Sequence, residues 1–201
     1  MQTGLDRLTQ LLQQRLFVPI EASGRHVHLT KEHADILFGH ELTPAKPLSQ
    51  PGQYAAKERV SIKGPKGEFH NVAVLGPCRS ETQAEISLTD SKTLGIRPPV
   101  RLSGKIDGSP GCEILGPNGR IKIASGVIVA KRHIHMTPED AACQNVKNGE
   151  NVRLKVLSSR PVVFEDVSVR VSDQFSTAVH LDYDEANACG FSAGDLGMII
   201  K

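Results

Sequence analysis

Two short runs of the chain place pairs of imidazoles at matched spacing: Arg25-His26-Val27-His28-Leu29-Thr30 and Arg132-His133-Ile134-His135-Met136-Thr137. In an extended strand, residues i and i+2 project from one face, so each His-x-His pair aims two ring nitrogens at one point. Imidazole is a preferred zinc ligand, and a catalytic zinc usually takes three protein ligands and keeps one position open. A single His-x-His pair is a weak signal, because histidines also pair by chance in cores and on surfaces. Two copies in matched contexts, drawing on four of the eight histidines, favour metal binding over satisfied core pairs. The others differ: His33 and His40 fall in or after a helical stretch and His70 in a loop, while His180 sits in a matched frame.

That frame is a second, weaker repeat. Glu85-Ile86-Ser87-Leu88-Thr89-Asp90 matches His180-Leu181-Asp182-Tyr183-Asp184-Glu185, and both runs lead on to a glycine, Gly95 and Gly190. It supplies a third candidate ligand to each pair, giving a His26, His28, Glu85 set and a His133, His135, His180 set. A further cluster, Gly76-Pro77-Cys78-Arg79-Ser80-Glu81-Thr82-Gln83-Ala84-Glu85, brings Arg79 near Glu85 in the chain. A guanidinium fork grips a tetrahedral oxyanion with two hydrogen bonds. Alone, Arg79 reads as a surface arginine; beside a dication site it reads as an oxyanion clamp.

These side chains must be carried by short strands. Val60 and Ile62, Ile121 and Ile123, Val152, Leu154 and Val156, and Val167, Val169 and Val171 alternate with polar neighbours. Turn chemistry separates them at Gly64-Pro65-Lys66-Gly67, Gly116-Pro117-Asn118-Gly119 and Lys147-Asn148-Gly149. Many short strands with frequent Gly and Pro point to β-barrels or a sandwich. Thr30 and Thr137 are each placed to cap a short helix, and Pro138 suits a first helical position. The repeats describe two related halves joined near residues 103 to 117. Residues 1 to 17 stand apart: Leu5, Leu8, Leu12 and Leu16, widened by Leu11, recur at helical spacing opposite Gln10, Gln13 and Gln14. Such an amphipathic helix either packs on its own domain or docks in a partner's groove.

Composition bounds the function. A chain of 201 residues suffices for one large domain or two of about 100 residues each. With no Trp and 4% aromatic residues, the core must rest on Val, Ile and Leu. The net charge of +2, from interspersed charges, argues against a nucleic-acid binder, which needs a concentrated basic face. No apolar run approaches the ~20 residues that span a bilayer, and the N-terminus carries no secretion pattern. Cys78, Cys112, Cys143 and Cys189 are dispersed, as expected for reduced, buried thiols in a cytosolic setting.

Taken together, these residues resemble the phosphate propanoyltransferases of bacterial microcompartments, the PduL-type phosphotransacylases, through almost the whole chain. The resemblance rests on Glu21 to Thr30, on Leu75-Gly76-Pro77 with Arg79, Thr82-Gln83 and Glu85, on Arg132 to Met136, and on His180-Leu181-Asp182 with Asp184-Glu185-Ala186-Asn187. It implies a mainly β fold of two related β-barrel domains with short capping helices, residues 18–105 and 106–201, with strands open to exchange between the halves. It implies two zinc ions, one on His26, His28 and Glu85 and one on His133, His135 and His180, with Arg79 orienting phosphate. Coenzyme A would be contacted by Ala22, Ser23, Gly24, Lys66 and Asn187. Residues 1–17 resemble the peptide that directs members into a shell, which implies a bacterial cytoplasmic enzyme inside a microcompartment, with shell or core proteins as partners. A homo-oligomer is expected, with no nucleic-acid or membrane partner. Two positions depart from the family pattern: Gly24 stands where Ala is usual, and Ala73 replaces a basic residue, with Lys63 and Lys66 as nearby cations.

The implied reaction moves a propanoyl or acetyl group between coenzyme A and inorganic phosphate by direct phosphate attack. The alternative is a zinc hydrolase that delivers water to an ester or thioester, and a third reading is a non-catalytic shell component. Phosphate-dependent thiol release from an acyl-CoA separates the three.

Overall fold

The computed structural model describes residues 4–200. The chain begins with α1 (Gly4–Leu16), β1 (Val18–Ser23), β2 (His26–His28), α2 (Lys31–Phe38), β3 (Pro44–Pro47) and β4 (Tyr54–Lys63). It continues through β5 (Glu68–Gly76), β6 (Gln83–Glu85), α3 (Leu88–Leu94), β7 (Val100–Arg101), β8 (Cys112–Leu115), β9 (Arg120–Ile123) and β10 (Val127–Ala130). The last third holds β11 (His133–Met136), α4 (Pro138–Cys143), β12 (Asn151–Leu157), β13 (Val163–Val171), β14 (Ala178–Asp182), α5 (Tyr183–Ala188) and β15 (Leu196–Ile200). The protein is thus mainly β with few, short helices. None of the described helices is long and apolar enough to cross a membrane.

Two compact units form. One spans residues 24–131 and 182–184; the other gathers residues 1–23, 132–181 and 185–201. The strand β1 therefore sits with the later half of the sequence, pairing with β15, while β8, β9 and β10 complete the sheet of the earlier half.

The later-half unit closes into a six-stranded barrel of order β1-β14-β11-β13-β12-β15. The burial of β12 alternates residue by residue, as the period-2 pattern predicts. Its inward residues, including Val152, Leu154, Val156, Val167, Val169, Ile134 and Leu181, form one aliphatic core. The expectation of a second barrel is corrected. The earlier-half unit is an open sheet of order β7-β10-β6-β2-β5-β4-β8-β9, with β3 beside β4. At one end β7 has only two residues; at the other, the β8–β9 turn is met by α2, where Asn118 donates its N–H to the Leu37 carbonyl and its side-chain amide to the Phe38 carbonyl. The core of this unit includes Val27, Leu29, Leu37, Ile62, Leu94 and Ile114, all fully buried, each contributing roughly 1.5–3 kcal/mol of transfer free energy.

The helices α2, α3 and α4 begin at residues that satisfy their free N–H groups. Thr30 accepts from His33 N at 3.1 Å and Thr137 from Asp140 N at 3.1 Å, while Ser87 and Asp90 form a reciprocal capping box on α3. In α1, Leu8, Leu12 and Leu16 are about half exposed; Met1, Gln2 and Thr3, Lys201, and the side chains of Leu5 and Leu11 in the expected stripe, lie outside the described residues. All four cysteines are free thiols, and Cys143, expected to be buried, is exposed because α4 buries only Ala141.

Candidate functional site

The repeat in sequence is a repeat in topology. Strand β2 lies between β6, antiparallel, and β5, parallel; β11 lies between β14, antiparallel, and β13, parallel. A capped helix follows each His-x-His strand, and another follows each partner strand. Register sets His26 opposite Glu85 and His133 opposite His180. Residues paired across a ladder share a face, so each unit presents three ligand-type side chains on the side of the sheet away from its aliphatic core. The side-chain donors of His26, His28 and Glu85 all lie within 4.8 Å of one another, and so do those of His133, His135 and His180. All six side chains predicted as ligands fall in these two clusters.

The arginine of each motif has a structural task. Arg25 makes a two-pronged ion pair with Asp90 on α3, Nη2 to Oδ1 at 2.7 Å and Nε to Oδ2 at 3.1 Å, and lies 4.1 Å over the Phe69 ring. Arg132 pairs with Glu185 on α5 at 2.7 Å and lies 5.5 Å over the Phe164 ring. Thr82 and Thr177 are also equivalent: their hydroxyls accept from the N–H of Thr30 and Thr137 respectively. Each His-x-His strand is therefore tied at its start to the helix that follows its partner strand, and at its end to the threonine that precedes that partner.

In the first cluster the imidazoles are oriented by their surroundings. His26 Nδ1 lies 2.8 Å from the Gly24 carbonyl oxygen, which directs the proton to that nitrogen and leaves Nε2 facing Glu85 Oε2 at 3.6 Å. Burial, with the His26 and Arg79 charges, pushes His28 down to about 2, so it is a neutral donor at ordinary pH. Burial also disfavours the charged form of His26, but the Glu85 carboxylate outweighs this and raises its pKa. Burial alone would raise Glu85; the neighbouring His26 and His28 rings and the Ser103 hydroxyl hold it well below the ordinary carboxylate range. In the second cluster, burial and the neighbouring His133 and His180 push His135 down to about 2. Its three rings lie with centroids 4.6, 4.9 and 5.1 Å apart, and Phe175 packs 4.2 Å from His135.

Arg79 belongs to the first cluster's surroundings. Its backbone N–H donates to the Leu29 carbonyl at 2.8 Å and its Nη1 to Ser103 Oγ at 3.0 Å. Ser103 Oγ in turn donates to Glu85 Oε1 at 2.7 Å, and Gln83 Nε2 donates to the same oxygen at 2.6 Å. A cavity of about 240 Å³ beside Arg79 is lined by Pro51, Gly52, Gln53, Gly76 and Pro77. In the sequence, Ser103 opens the stretch that joins the two halves, and a serine in a turn has no periodicity to single it out.

The residues expected to touch coenzyme A are placed one by one. Ala22 and Ser23 end β1, Gly24 follows them, exposed Lys66 lies in the β4–β5 turn, and exposed Asn187 is on α5. A Cβ at Gly24 would come within 2.7 Å of the exposed Tyr183 ring, which would have to turn aside to admit alanine. Ala73 lies opposite His26 on β5, half-buried. His70, expected in a loop, is on β5, with an exposed side chain beside Glu68 and Ser61.

Comparison with known proteins adds what geometry alone does not. A family model of phosphate propanoyltransferases matches residues 19–192, a span that begins after α1. A phosphate propanoyltransferase of Leptotrichia buccalis is 59% identical over 185 residues, 90% of this chain and 87% of that protein. One of Clostridioides difficile is 55% identical over 94% of this chain and 92% of that protein, and one of Thermotoga maritima is 52% identical over 96% and 93%. With its fold, its paired ligand clusters and this likeness along nearly its whole length, the chain belongs to the phosphate propanoyltransferase family.

Proposed function

We propose that the protein is a metal-dependent phosphotransacylase in which His26, His28 and Glu85 hold one zinc ion, His133, His135 and His180 hold a second, and Arg79 binds inorganic phosphate. The supporting observation is the link of Arg79 through Ser103 to Glu85, which joins an anion-binding group to a ligand cluster. The donor sets suit zinc: two imidazoles with a carboxylate, and three imidazoles, each set within 4.8 Å. His26 turns Nε2 toward Glu85 Oε2 at 3.6 Å and His28 turns Nε2 toward Glu85 Oε1 at 3.8 Å, so two imidazole nitrogens and a carboxylate converge on one point. In the second cluster, Nδ1 of buried His135 has no hydrogen-bond partner, at a cost of about 1–3 kcal/mol.

When bound, zinc supplies a Lewis acid for the thioester carbonyl and a soft acceptor for the departing sulfur. The chain's own residues position the other reactant. Arg79 holds phosphate so that one of its oxygens attacks the acyl carbonyl carbon; the C–S bond breaks, giving acyl phosphate and the coenzyme A thiolate. Direct attack needs no acyl-enzyme, so much of the acceleration comes from positioning. Coenzyme A is assigned to Ala22, Ser23, Gly24, Lys66 and Asn187, and the acyl group to propanoyl or acetyl. The half-exposed Leu8, Leu12 and Leu16 of α1 support a docking peptide for a microcompartment shell or core protein.

Arg79→Ala is expected to raise the phosphate KM or cut kcat by about 100-fold or more, as loss of a bidentate charged contact of roughly 3 kcal/mol predicts. Wild-type kinetics in that variant would remove Arg79 from the reaction.

A further inference from the structure

We propose that Ser103 is a positioning residue for phosphate transfer, fixing the Arg79 guanidinium relative to the Glu85 carboxylate. This rests on the reading of Arg79 and Glu85 given above. A hydroxyl has one proton and two lone pairs, and Ser103 uses all three. Oγ accepts from Arg79 Nη1 at 3.0 Å and from Gln83 Nε2 at 2.9 Å, and donates to Glu85 Oε1 at 2.7 Å. Two of these partners are charged, so the bonds are of the stronger kind.

The hydroxyl is itself held in place. Gln83 Oε1 accepts from Gly104 N at 2.8 Å, so the 103–104 turn grips the Gln83 amide at both its ends. Glu85 Oε1 is occupied by Gln83 Nε2 and Ser103 Oγ, which leaves Oε2 as the oxygen facing His26 Nε2. One serine therefore bears on two things: how the Glu85 carboxylate is turned, with Oε2 toward His26 Nε2 at 3.6 Å and Oε1 toward His28 Nε2 at 3.8 Å, and where the guanidinium sits before phosphate arrives. A free arginine side chain carries about 2 kcal/mol of rotamer entropy, and ordering it in advance lowers the cost of binding the anion.

The second half of the repeat shows that folding does not require this arrangement. Counting from the equivalent Thr82 and Thr177, the positions of Arg79, Gln83 and Glu85 are taken there by Gln174, Ala178 and His180. The strands pair in the same way without the network. Arg79 and the Ser103 hydroxyl it is bonded to belong to the unit in which phosphate binding is proposed, which ties the network to that chemistry.

The test is steady-state kinetics of Ser103→Ala, Ser103→Gly and Ser103→Thr, with phosphate and propanoyl-CoA varied separately, together with metal content and a thermal melt. Removing the hydroxyl is expected to raise the phosphate KM about 10-fold, as loss of one charge-assisted hydrogen bond to Arg79 predicts. With the variants assayed in saturating zinc, the propanoyl-CoA KM is expected to stay at its wild-type value, and Ser103→Thr, which keeps the hydroxyl, to restore the phosphate KM; a defect that disappears once zinc is saturating would overturn the inference. Two variants lacking the hydroxyl guard against one that folds poorly. A wild-type phosphate KM in either, or an equal loss with both substrates that tracks a lowered melting temperature, overturns the inference. If Arg79→Ala is impaired while Ser103→Ala is not, only the role of Ser103 falls. If Arg79→Ala is itself wild type, the reading of the site falls with it.

Discussion

His28 and His135 are buried to 3% and 8% exposure, each with its ring within reach of two other ligand-type side chains. Glu85 is equally buried, and its charge is sustained by His26, His28 and Ser103. Glu85→Ala is expected to lose metal from the first cluster and leave the second loaded, so elemental analysis should fall from two ions per chain toward one. Retention of both ions would remove Glu85 from the ligand set. The two clusters were legible because a His-x-His pair in a strand forces two side chains onto one face, and because the pattern occurs twice. Ser103 was not legible. Its role comes from a turn folding back on β6, and nothing in Ser103-Gly104 distinguishes it from any other polar turn.

At the scale of elements, each ligand strand is held by the helix that follows its partner. The Arg25–Asp90 pair reaches from the start of β2 to α3, and Arg132–Glu185 reaches from the start of β11 to α5. Asp90 does double duty, accepting from Ser87 N in the capping box while it grips Arg25. Asp90→Ala is therefore expected to destabilise the protein by about 1–3 kcal/mol, from the lost cap and the stranded guanidinium together. Denaturant unfolding checks this, and an unchanged midpoint would show the pair to be idle. The sequence announced α2 and α4 through Thr30, Thr137 and Pro138, and β4, β9, β12 and β13 through their alternating valines and isoleucines; α3 and α5 are not among the expected helices. It could not announce the pairing of β1 with β15, or the passage of β8, β9 and β10 into the sheet of the earlier half. Such long-range pairings leave no mark on local periodicity, and alternation alone does not tell the sheet of that unit from a closed barrel.

At the scale of the whole molecule, the duplicated design is shared but its chemistry is not. Both units carry the same strand–helix–hairpin–strand–helix order, with three ligand-type side chains facing away from the core. The Arg79, Gln83, Ser103 and Glu85 network occurs in one of them alone. That asymmetry suits a reaction in which one tetrahedral anion must be gripped and aimed. The most direct test is thiol release from propanoyl-CoA by the metal-loaded protein, followed with and without inorganic phosphate and repeated after chelation. Release is expected to depend on phosphate, to yield one acyl phosphate per thiol, and to be abolished by removing the metal and restored by zinc. Release at the same rate without phosphate, or undiminished release from fully metal-stripped protein, would contradict the proposed reaction.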